Sequence, residues 1–205
     1  MATWDQMRTD PFLGGPEAFT SVRGEALAEQ YGLCAYCEVK LPIPPDPVKC
    51  RVEHIYSKSN TTATSVNWHL VWQNMVVVCP GGTSEHAGPE LYLAPRAENV
   101  SCDSHKDRLI QTGKLNGATH GTTLNPVTMP FDPMLFTCSP STGALTPNEG
   151  ACALLEPMNG NPYPNVVKLV EETINVFNLN CDRLAQRRLR LARLLEADLA
   201  ALVTL

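Results

Sequence analysis

The 205-residue sequence predicts an α+β fold with a small cysteine-clamped core, a β-hairpin region rich in proline and glycine, and two C-terminal helices. Three observations predict this fold. A Cys-x-x-Cys pair, Cys34 and Cys37, is followed along the chain by Cys79 and Cys102. Between these cysteines lie short apolar stretches that have the length of strands. From residue 165 onward, apolar residues recur at helical spacing.

The first predicted helix leads into the cysteine pair. Pro16 suits the first turn of a helix, and Gly32 suits the position just beyond its end. We expect the helix to run from Pro16 to about Gln30, and the segment before it to be a loop anchored by Trp4 and Phe12. The apolar face of the helix comprises Ala18, Val22, Ala26 and Leu27.

Two short strands and a further helix are predicted after the pair. Cys50–Ile55 has the composition of a strand, and the apolar run Val76–Val78 predicts a second strand that ends just before Cys79. Pro80–Ser101 is rich in glycine and proline and is predicted to be a surface loop. Cys102–Gly113 is predicted to be the helix that completes this part of the chain.

The rest of the chain is predicted to be a hairpin followed by helices. Met134–Thr137 and Ala144–Pro147 flank a Ser-Pro-Ser-Thr-Gly sequence, which is typical of a turn between two strands. A helix is predicted over Asn165–Asn178, and a second one from Asp182 to the C-terminus. Both carry an apolar stripe, so each is expected to pack one face on the core.

Length and composition favour a single packed unit with an extension. We divide the chain into residues 1–115, the core with its N-terminal helix, and residues 116–205, a hairpin and helical extension packed with it. A hydrophobic content of 43% is enough for a core. The sequence has no apolar run long enough to span a membrane and no signal-peptide pattern, so neither is expected.

The cysteines and the net charge narrow the functional classes. Eight cysteines without a secretion signal indicate reduced thiols in the cytoplasm, not a secreted disulfide protein. The formal net charge of −5 argues against a protein that coats nucleic acid by charge alone. Any binding to nucleic acid is therefore expected to use a local basic patch, or one supplied by a partner.

The four spaced cysteines predict a structural zinc site. A Cys-x-x-Cys turn directs two thiolates at one cation, and Zn²⁺ takes four ligands in a tetrahedron. Cys34 and Cys37 supply one pair, while Cys79 and Cys102 supply the other. The second pair is not a Cys-x-x-Cys turn, so His86, in the loop between its members, is the alternative to Cys102 as fourth ligand.

A set of polar residues near these cysteines in the sequence predicts a catalytic site. Glu53 and His54 end the first strand, where adjacent side chains point to opposite faces, so a bend or a loop must bring them to one phosphate. Asn74 has an amide that both donates and accepts, which suits pinning a loop. Asp103 enters a helix N-terminus, from which it is expected to reach a divalent cation that Glu53 also touches.

In this order, the motifs resemble the HNH nucleases with a ββα-metal active site. The shared pattern is C-x-x-C, (D/E)-H-I, N-x4-C and C-(N/H/D)-x-x-K. The wider phrases resemble the HNH subunit of Septu and retron anti-phage systems, the PtuB-like proteins. The phrases that carry this resemblance are Leu33–Glu38, Val52–Ser59, Trp72–Met75 and Cys102–Asp107, with Asn125-Pro126 and Ile174–Asn180 further along the chain.

The resemblance implies a role for each motif residue. It makes His54 the general base that activates water, Glu53 and Asp103 the holders of Mg²⁺ or Mn²⁺, and Asn74 the structural asparagine. The four cysteines would hold Zn²⁺. One departure is that Asp103 stands where the family usually has Asn or His, while His105 follows two residues later. Either residue can complete the metal site, and Asp103 is favoured.

The resemblance also implies partners. Nucleic acid is the expected substrate, with DNA favoured over an RNA such as tRNA, and Lys58, Lys106 and Arg108 are candidates for contacts with its phosphates. The resemblance implies an ABC/SMC-like (PtuA-like) ATPase as the protein partner, which the net charge and the arginine-leucine helix support only loosely. The chain itself contains no G-x-x-x-x-G-K-(S/T) motif. The competing hypothesis is a non-catalytic zinc-binding module that docks a partner or nucleic acid.

Overall fold

A computed structural model describes residues 2–58, 65–83, 97–116 and 121–203 of the chain. Within these ranges, the chain forms six α-helices and four strands. The helices are α1 (Trp4–Thr9), α2 (Gly15–Glu29), α3 (Cys102–Gln111), α4 (Glu149–Leu154), α5 (Val166–Val176) and α6 (Asp182–Val203). The strands are β1 (Arg51–His54), β2 (Met75–Val78), β3 (Phe136–Cys138) and β4 (Leu145–Pro147). The prediction of mixed helices and small sheets is confirmed.

The N-terminal segment is not the predicted loop but the short helix α1. Thr3 and Gln6 form a capping box, in which each side chain accepts a hydrogen bond from the backbone N–H of the other residue. Trp4 is buried, as predicted. The prediction that Phe12 anchors the segment is wrong, because its side chain is 97% exposed just after α1.

Strands β1 and β2 form an antiparallel pair in which His54 lies opposite Met75. Side chains of β1 alternate between two surroundings. Arg51 and Glu53 face α3, where Arg51 Nη1 donates to Ser104 Oγ at 3.3 Å. Val52 and His54 face the opposite side, which is covered by α1. β1 therefore separates two environments, and its partner β2 is buried throughout.

One hydrophobic core includes residues from both halves of the sequence. It extends from Leu27 in α2, through β2, to Leu184 in α6. Tyr36 and Phe177 stack with ring centroids 3.9 Å apart, joining the cysteine turn to the end of α5. The β3–β4 hairpin and α4 pack against α5. The proposed division at residue 115 stays a prediction.

Among the described helices, none combines the length and the apolar character that a membrane crossing requires. The longest, α6, carries arginines along its first half. It also contributes Leu184 to the core, so it is anchored to the rest of the fold at its first turn.

Candidate metal centres and active site

Four cysteines from three parts of the chain meet at one point. Cys34 and Cys37 lie in the turn after α2, Cys79 follows β2, and Cys102 begins α3. Their sulfur atoms all lie within 4.8 Å of one another. The alternative fourth ligand, His86, lies outside the described residues. Within those residues, the cluster has the four members that the sequence selected.

The sulfur positions fit a zinc ion. The Sγ atom of Cys79 lies 3.7 Å from that of Cys37 and 3.7 Å from that of Cys102. The Sγ atoms of Cys34 and Cys102 are 4.0 Å apart. A tetrahedral site with Zn–S bonds of about 2.3 Å has S–S edges of about 3.8 Å. These side chains therefore have the number, the chemistry and the spacing that zinc requires.

Backbone groups hold the cysteine cluster in place. The N–H of Cys79 donates to Cys34 Sγ at 3.3 Å, and that of Gly81 donates to Cys79 Sγ at 3.4 Å. Cys102 has a φ of 55°, in the left-handed region where a non-glycine residue is strained. Its N–H donates to the carbonyl oxygen of Phe177 at 2.8 Å. A hydrogen bond to a residue outside α3 thus stabilises the strained backbone conformation of Cys102.

The thiols of the cluster cannot all ionise without a cation. Burial opposes ionisation of Cys34, but hydrogen bonds with the sulfurs of Cys102, Cys37 and Cys79 outweigh it and place its pKa well below the usual value. The same sulfur contacts, with burial, raise the pKa of Cys102 well above the usual value. One thiolate therefore forms easily and the next does not, which is the situation that a bound dication resolves.

Glu53 and Asp103 converge on the Lys106 ammonium. Lys106 Nζ forms ion pairs with Glu53 Oε1 and, at 3.0 Å, with Asp103 Oδ1. The three side chains come from β1 and α3 and are at most 13% exposed. Asp103 Oδ1 is buried and receives no well-directed hydrogen bond from the described residues, its contact with Lys106 being an ion pair.

The electrostatics of this pair suit a hard divalent cation. Burial, helped by the charge of Asp107 and opposed by that of Arg51, raises the pKa of Asp103 to about 7. Burial also lowers the pKa of Lys106, which Asp107 opposes. Two closely placed carboxylates with an orphaned oxygen are the donor set that Mg²⁺ or Mn²⁺ takes, with water and phosphate oxygens completing the shell.

His54 lies on the other face of β1 and is held by two contacts. Its Nε2 lies 3.1 Å from the carbonyl oxygen of His69, and its ring packs edge-on against Trp4 with centroids 5.0 Å apart. Because a carbonyl only accepts, Nε2 carries the proton and Nδ1 carries the lone pair of the neutral ring. Burial lowers the pKa of His54 to about 4, so the imidazole is neutral at pH 7.

Asn74 joins the two ends of the segment that connects β1 to β2. Its Oδ1 accepts from the N–H of Tyr56 at 2.6 Å, and its Nδ2 donates to the carbonyl oxygens of Tyr56 and Trp68 at 3.1 and 2.7 Å. The side chain is 1% exposed. These are the contacts that a loop-pinning role requires, and its role in the site stays a prediction.

The other predicted site residues are spread around this centre. His105 Nδ1 donates to the carbonyl oxygen of Val176 at 2.9 Å, so this ring is held against the end of α5. The positive charge of Lys58 contributes to the lowered pKa of His54, after burial, so Lys58 lies near the site. Arg108 is exposed. Lys106 was predicted to contact phosphates, but its ammonium is buried between carboxylates.

The sequence did not indicate two contacts of the site, although it singled out both residues for other roles. The pairing of Lys106 with Glu53 joins residues 53 positions apart, and only the i,i+3 spacing of Asp103 and Lys106 on a predicted helix hinted at it. Trp4 was expected to be an anchor, but nothing in the sequence placed it against His54.

Comparison with known proteins identifies the family of this chain. The chain is 35% identical, over 190 residues, to an Escherichia coli protein assigned as the HNH endonuclease of retron Ec83. The match covers 92% of this chain and 70% of that protein. No protein-family model matches the chain, and no solved structure does. The extent and identity of the match to the retron protein, together with the motifs described above, show that this chain belongs to the HNH endonucleases.

Proposed function

We propose that this chain is a metal-dependent endonuclease that hydrolyses phosphodiester bonds in DNA. The observation that carries the proposal is that the Glu53 and Asp103 carboxylates converge on one buried point. The residue that follows Glu53 in β1 is His54, whose imidazole is neutral. A scaffold stapled by zinc needs neither the carboxylate pair nor the imidazole. Together with membership of the HNH endonucleases, the pair therefore favours a nuclease over a non-catalytic zinc module.

In this proposal, β1, β2 and α3 are the ββα-metal unit. Glu53 from β1 and Asp103 from the first turn of α3 hold Mg²⁺ or Mn²⁺, and the helix N-terminus adds favourable charge for phosphate. His105 is turned to a carbonyl of α5, which supports Asp103 as the second carboxylate ligand. Cys34, Cys37, Cys79 and Cys102 hold zinc, which keeps α3 against the sheet.

We place the scissile phosphate across the C-terminal end of β1. Glu53 and His54 face opposite sides of the strand, and only at its end can groups from both sides reach one ligand. The N–H of His54 Nε2 stays on the His69 carbonyl and fixes the ring, while Nδ1 removes a proton from water. The oxygen of that water then attacks phosphorus, and the P–O bond to the leaving oxygen breaks.

The remaining groups assist this reaction. A divalent cation bound to the two carboxylates supplies positive charge that stabilises the extra negative charge on the phosphate oxygens. Lys58 and Arg108 are proposed to contact neighbouring phosphates. Such contacts do not depend on the nucleotide sequence. Asn74 keeps the Tyr56 and Trp68 segments in place and thereby positions the carbonyl that holds His54.

The biological setting that we propose is supported by the retron relative and by the resemblance of the motifs to Septu and retron nuclease subunits. The chain would be the effector subunit of a bacterial anti-phage complex of the retron or Septu kind, acting in the cytoplasm with an ABC/SMC-like ATPase. The E. coli relative is assigned to a retron, and the net charge of −5 suits a nuclease whose grip on nucleic acid is shared with a partner. An RNA such as tRNA is the alternative substrate, since the chemistry at phosphorus is the same.

The test is cleavage of plasmid DNA by the purified chain, alone and with the ATPase co-expressed, in Mg²⁺, Mn²⁺ or no added divalent cation. We expect cleavage only with a divalent cation. His54→Ala is expected to lower the rate by 10²-fold or more, because general-base catalysis contributes about 10²–10⁴-fold. It should leave the chain folded with the zinc content of the wild type. The melting temperature should be lower, because a buried ring and its contacts with Trp4 and the His69 carbonyl are lost.

Four outcomes would count against the proposal or a part of it. Undiminished cleavage by His54→Ala would remove His54 as the base, and undiminished cleavage by Glu53→Gln would remove Glu53 from the cation site. Failure to cleave DNA under every condition, with cleavage of tRNA instead, would replace the substrate. Failure on both substrates, with the ATPase present, would refute the nuclease assignment for this site.

A further inference from the structure

A buried arginine lies against the cysteine cluster. Arg183, in the first turn of α6, is 3% exposed. Its Nη2 donates to Ser101 Oγ, and that hydroxyl donates in turn to Cys102 Sγ at 3.6 Å. The guanidinium is therefore one hydroxyl away from a proposed zinc ligand that lies 81 positions earlier in the chain.

The same guanidinium also touches the turn after Cys79. Gly82 is three residues beyond Cys79 and has a φ of 83°, and a Cβ built on it would lie 3.1 Å from Arg183 Nε. A side chain at this position would press on the guanidinium, whereas glycine leaves the space that it occupies. Arg183 thus bridges the two segments that supply Cys79 and Cys102.

Hydrogen bonding alone does not account for this burial. The Nε and Nη1 atoms of Arg183 are buried and have no hydrogen-bond partner among the described residues. A buried cation with orphaned N–H groups is costly unless a nearby negative charge compensates for it. No carboxylate forms an ion pair with Arg183 in the described part of the chain.

The cysteine cluster supplies that negative charge. Burial lowers the pKa of Arg183, but the charges of the Cys79, Cys37 and Cys102 sulfurs outweigh it and raise the pKa above its usual value. A Zn²⁺ ion with four thiolates carries a net charge of −2, and this centre is buried at three of its four cysteines. A fixed guanidinium beside it compensates for part of that charge.

We propose that Arg183 is part of the zinc centre, where it neutralises the charge of the tetrathiolate from outside the ligand set. The first turn of α6 then supports the metal site in addition to the turns that carry the cysteines. This inference rests on the zinc assignment in the proposed function, but not on the nuclease chemistry.

The first test compares zinc retention in single variants of the full chain. Arg183→Met removes the charge at nearly constant volume, Arg183→Lys keeps a charge, and Arg190→Met on the exposed face of α6 is the matched control. Zinc transfer to a chromogenic chelator is timed for each. We expect release to be about tenfold or more faster for Arg183→Met, as is typical when a group supporting a metal ligand is lost. Arg183→Lys should lie between this variant and the wild type, and Arg190→Met should match the wild type.

A second test separates charge from packing. Cys37→His replaces the half-buried thiolate by a neutral imidazole and reduces the negative charge of the centre from −2 to −1. If Arg183 acts through charge, Arg183→Met should accelerate zinc release less in the Cys37→His background than in the wild type. An equal acceleration in both backgrounds would show that the arginine only fills space, and would overturn the inference.

Cobalt substitution covers the case in which Arg183→Met releases zinc too fast to time. A positive neighbour lowers the donor strength of thiolates, so the sulfur-to-cobalt charge-transfer bands should move to lower energy in Arg183→Met and stay in place in Arg190→Met. Unmoved bands, or equal zinc release by both variants, would refute the role of Arg183. A wild-type chain that holds no zinc would instead refute the zinc assignment on which it rests.

Discussion

At the residue scale, the position of the Lys106 ammonium bears directly on metal binding. It lies between the two carboxylates that we assign to a divalent cation. A dication and an ammonium repel each other strongly at such distances in a buried site. Cation binding therefore requires Lys106 to move out of the pair, and the ion pairs that are lost reduce the affinity for the metal.

We predict that Lys106→Met binds Mn²⁺ more tightly than the wild type. The gain should be roughly tenfold, since a competing interaction of about 1.4 kcal/mol is removed. Titration calorimetry of the zinc-loaded protein with Mn²⁺ measures it. Lys168→Met is the control, because Lys168 pairs only with Glu171 and Glu172 on the surface of α5 in the described residues. Unchanged or weaker binding by Lys106→Met would mean that Lys106 supports the cation site and does not compete for it.

His54 should make the fold less stable in mild acid. Its pKa is about 4 in the folded chain against 6.5 for the free side chain, mainly because it is buried. Protonation therefore favours the unfolded state, so stability is lost as the pH falls from about 6.5 towards 4.

The expected loss from His54 between pH 7 and pH 5 is about 2 kcal/mol in the free energy of unfolding. His54→Gln keeps an N–H for the His69 carbonyl but does not titrate, so its loss over this range should be smaller by that amount. Urea unfolding at both pH values, in buffer without divalent cation, gives the difference between the two proteins. Protonation of the zinc ligands affects both proteins alike. Equal pH dependence would show that His54 is more accessible to protons than its burial indicates.

The residue types of the candidate site could be predicted from the sequence, but their pairing could not. Glu53, His54 and Asn74 stand in local phrases that the HNH resemblance identifies. Lys106 was assigned to phosphate contacts, because its partner Glu53 lies 53 positions earlier and only the packing of α3 on β1 brings them together. Arg183 stood among five arginines of a helix, and nothing local set it apart as the buried one.

At the element scale, the turn after β2 depends on the absence of a side chain at Gly81. This residue has a φ of 64°, and a Cβ built on it would lie 2.2 Å from the carbonyl oxygen of Ser101. The Ser101 backbone cannot easily move away from Gly81, because the Ser101 N–H donates a hydrogen bond to the Gly81 carbonyl oxygen at 2.9 Å. The Cys79 turn and the segment before α3 are thus in direct backbone contact.

We predict that Gly81→Ala weakens zinc binding and destabilises the fold, while Gly113→Ala does only the latter, and mildly. Gly113 also has a positive φ of 70°, but a Cβ there would meet nothing within 4 Å. Its substitution should cost about 1–2 kcal/mol for the left-handed backbone alone. Gly81→Ala should cost at least twice as much, because the backbone of the cysteine turn must also move. Thermal melts and the zinc content of both variants test this prediction, and similar values for the two variants would contradict it.

Elements with an apolar period were predictable, and those set by local hydrogen bonds were not. The strands of the core, helices α2, α3, α5 and α6, and the hairpin all lie close to their predicted places. The short helices α1 and α4 were missed because they are too short to show a period. They begin instead at side-chain caps, Thr3 for α1 and Asn148 for α4, whose signal is a single residue.

At the scale of the whole molecule, the cysteine core is supported by the C-terminal part. The N–H of Cys102 donates to Phe177 O, the ring of His105 donates to Val176 O, and Tyr36 stacks on Phe177. All three contacts cross the boundary at residue 115 that the sequence suggested. Such contacts between distant segments depend on the packing of the finished fold, which no local pattern encodes.

We predict that the fragment of residues 1–115 does not hold zinc as a folded unit. It lacks the acceptor for the strained Cys102, the aromatic partner of Tyr36 and the buried part of α6. Zinc content and circular dichroism of the fragment, compared with the full chain, measure this. A fragment with one equivalent of zinc and a cooperative melt would establish residues 1–115 as an independent domain.

The alternation along β1 restricts how this segment can change during evolution. Glu53 and His54 serve opposite sides of one strand, and a strand repeats every two residues. Inserting or deleting a single residue just ahead of Glu53 would turn the acid toward Trp4 and the imidazole toward α3. Substitutions can therefore accumulate in β1, but a change of length by one residue would exchange the sides that Glu53 and His54 face and would abolish the activity that we propose.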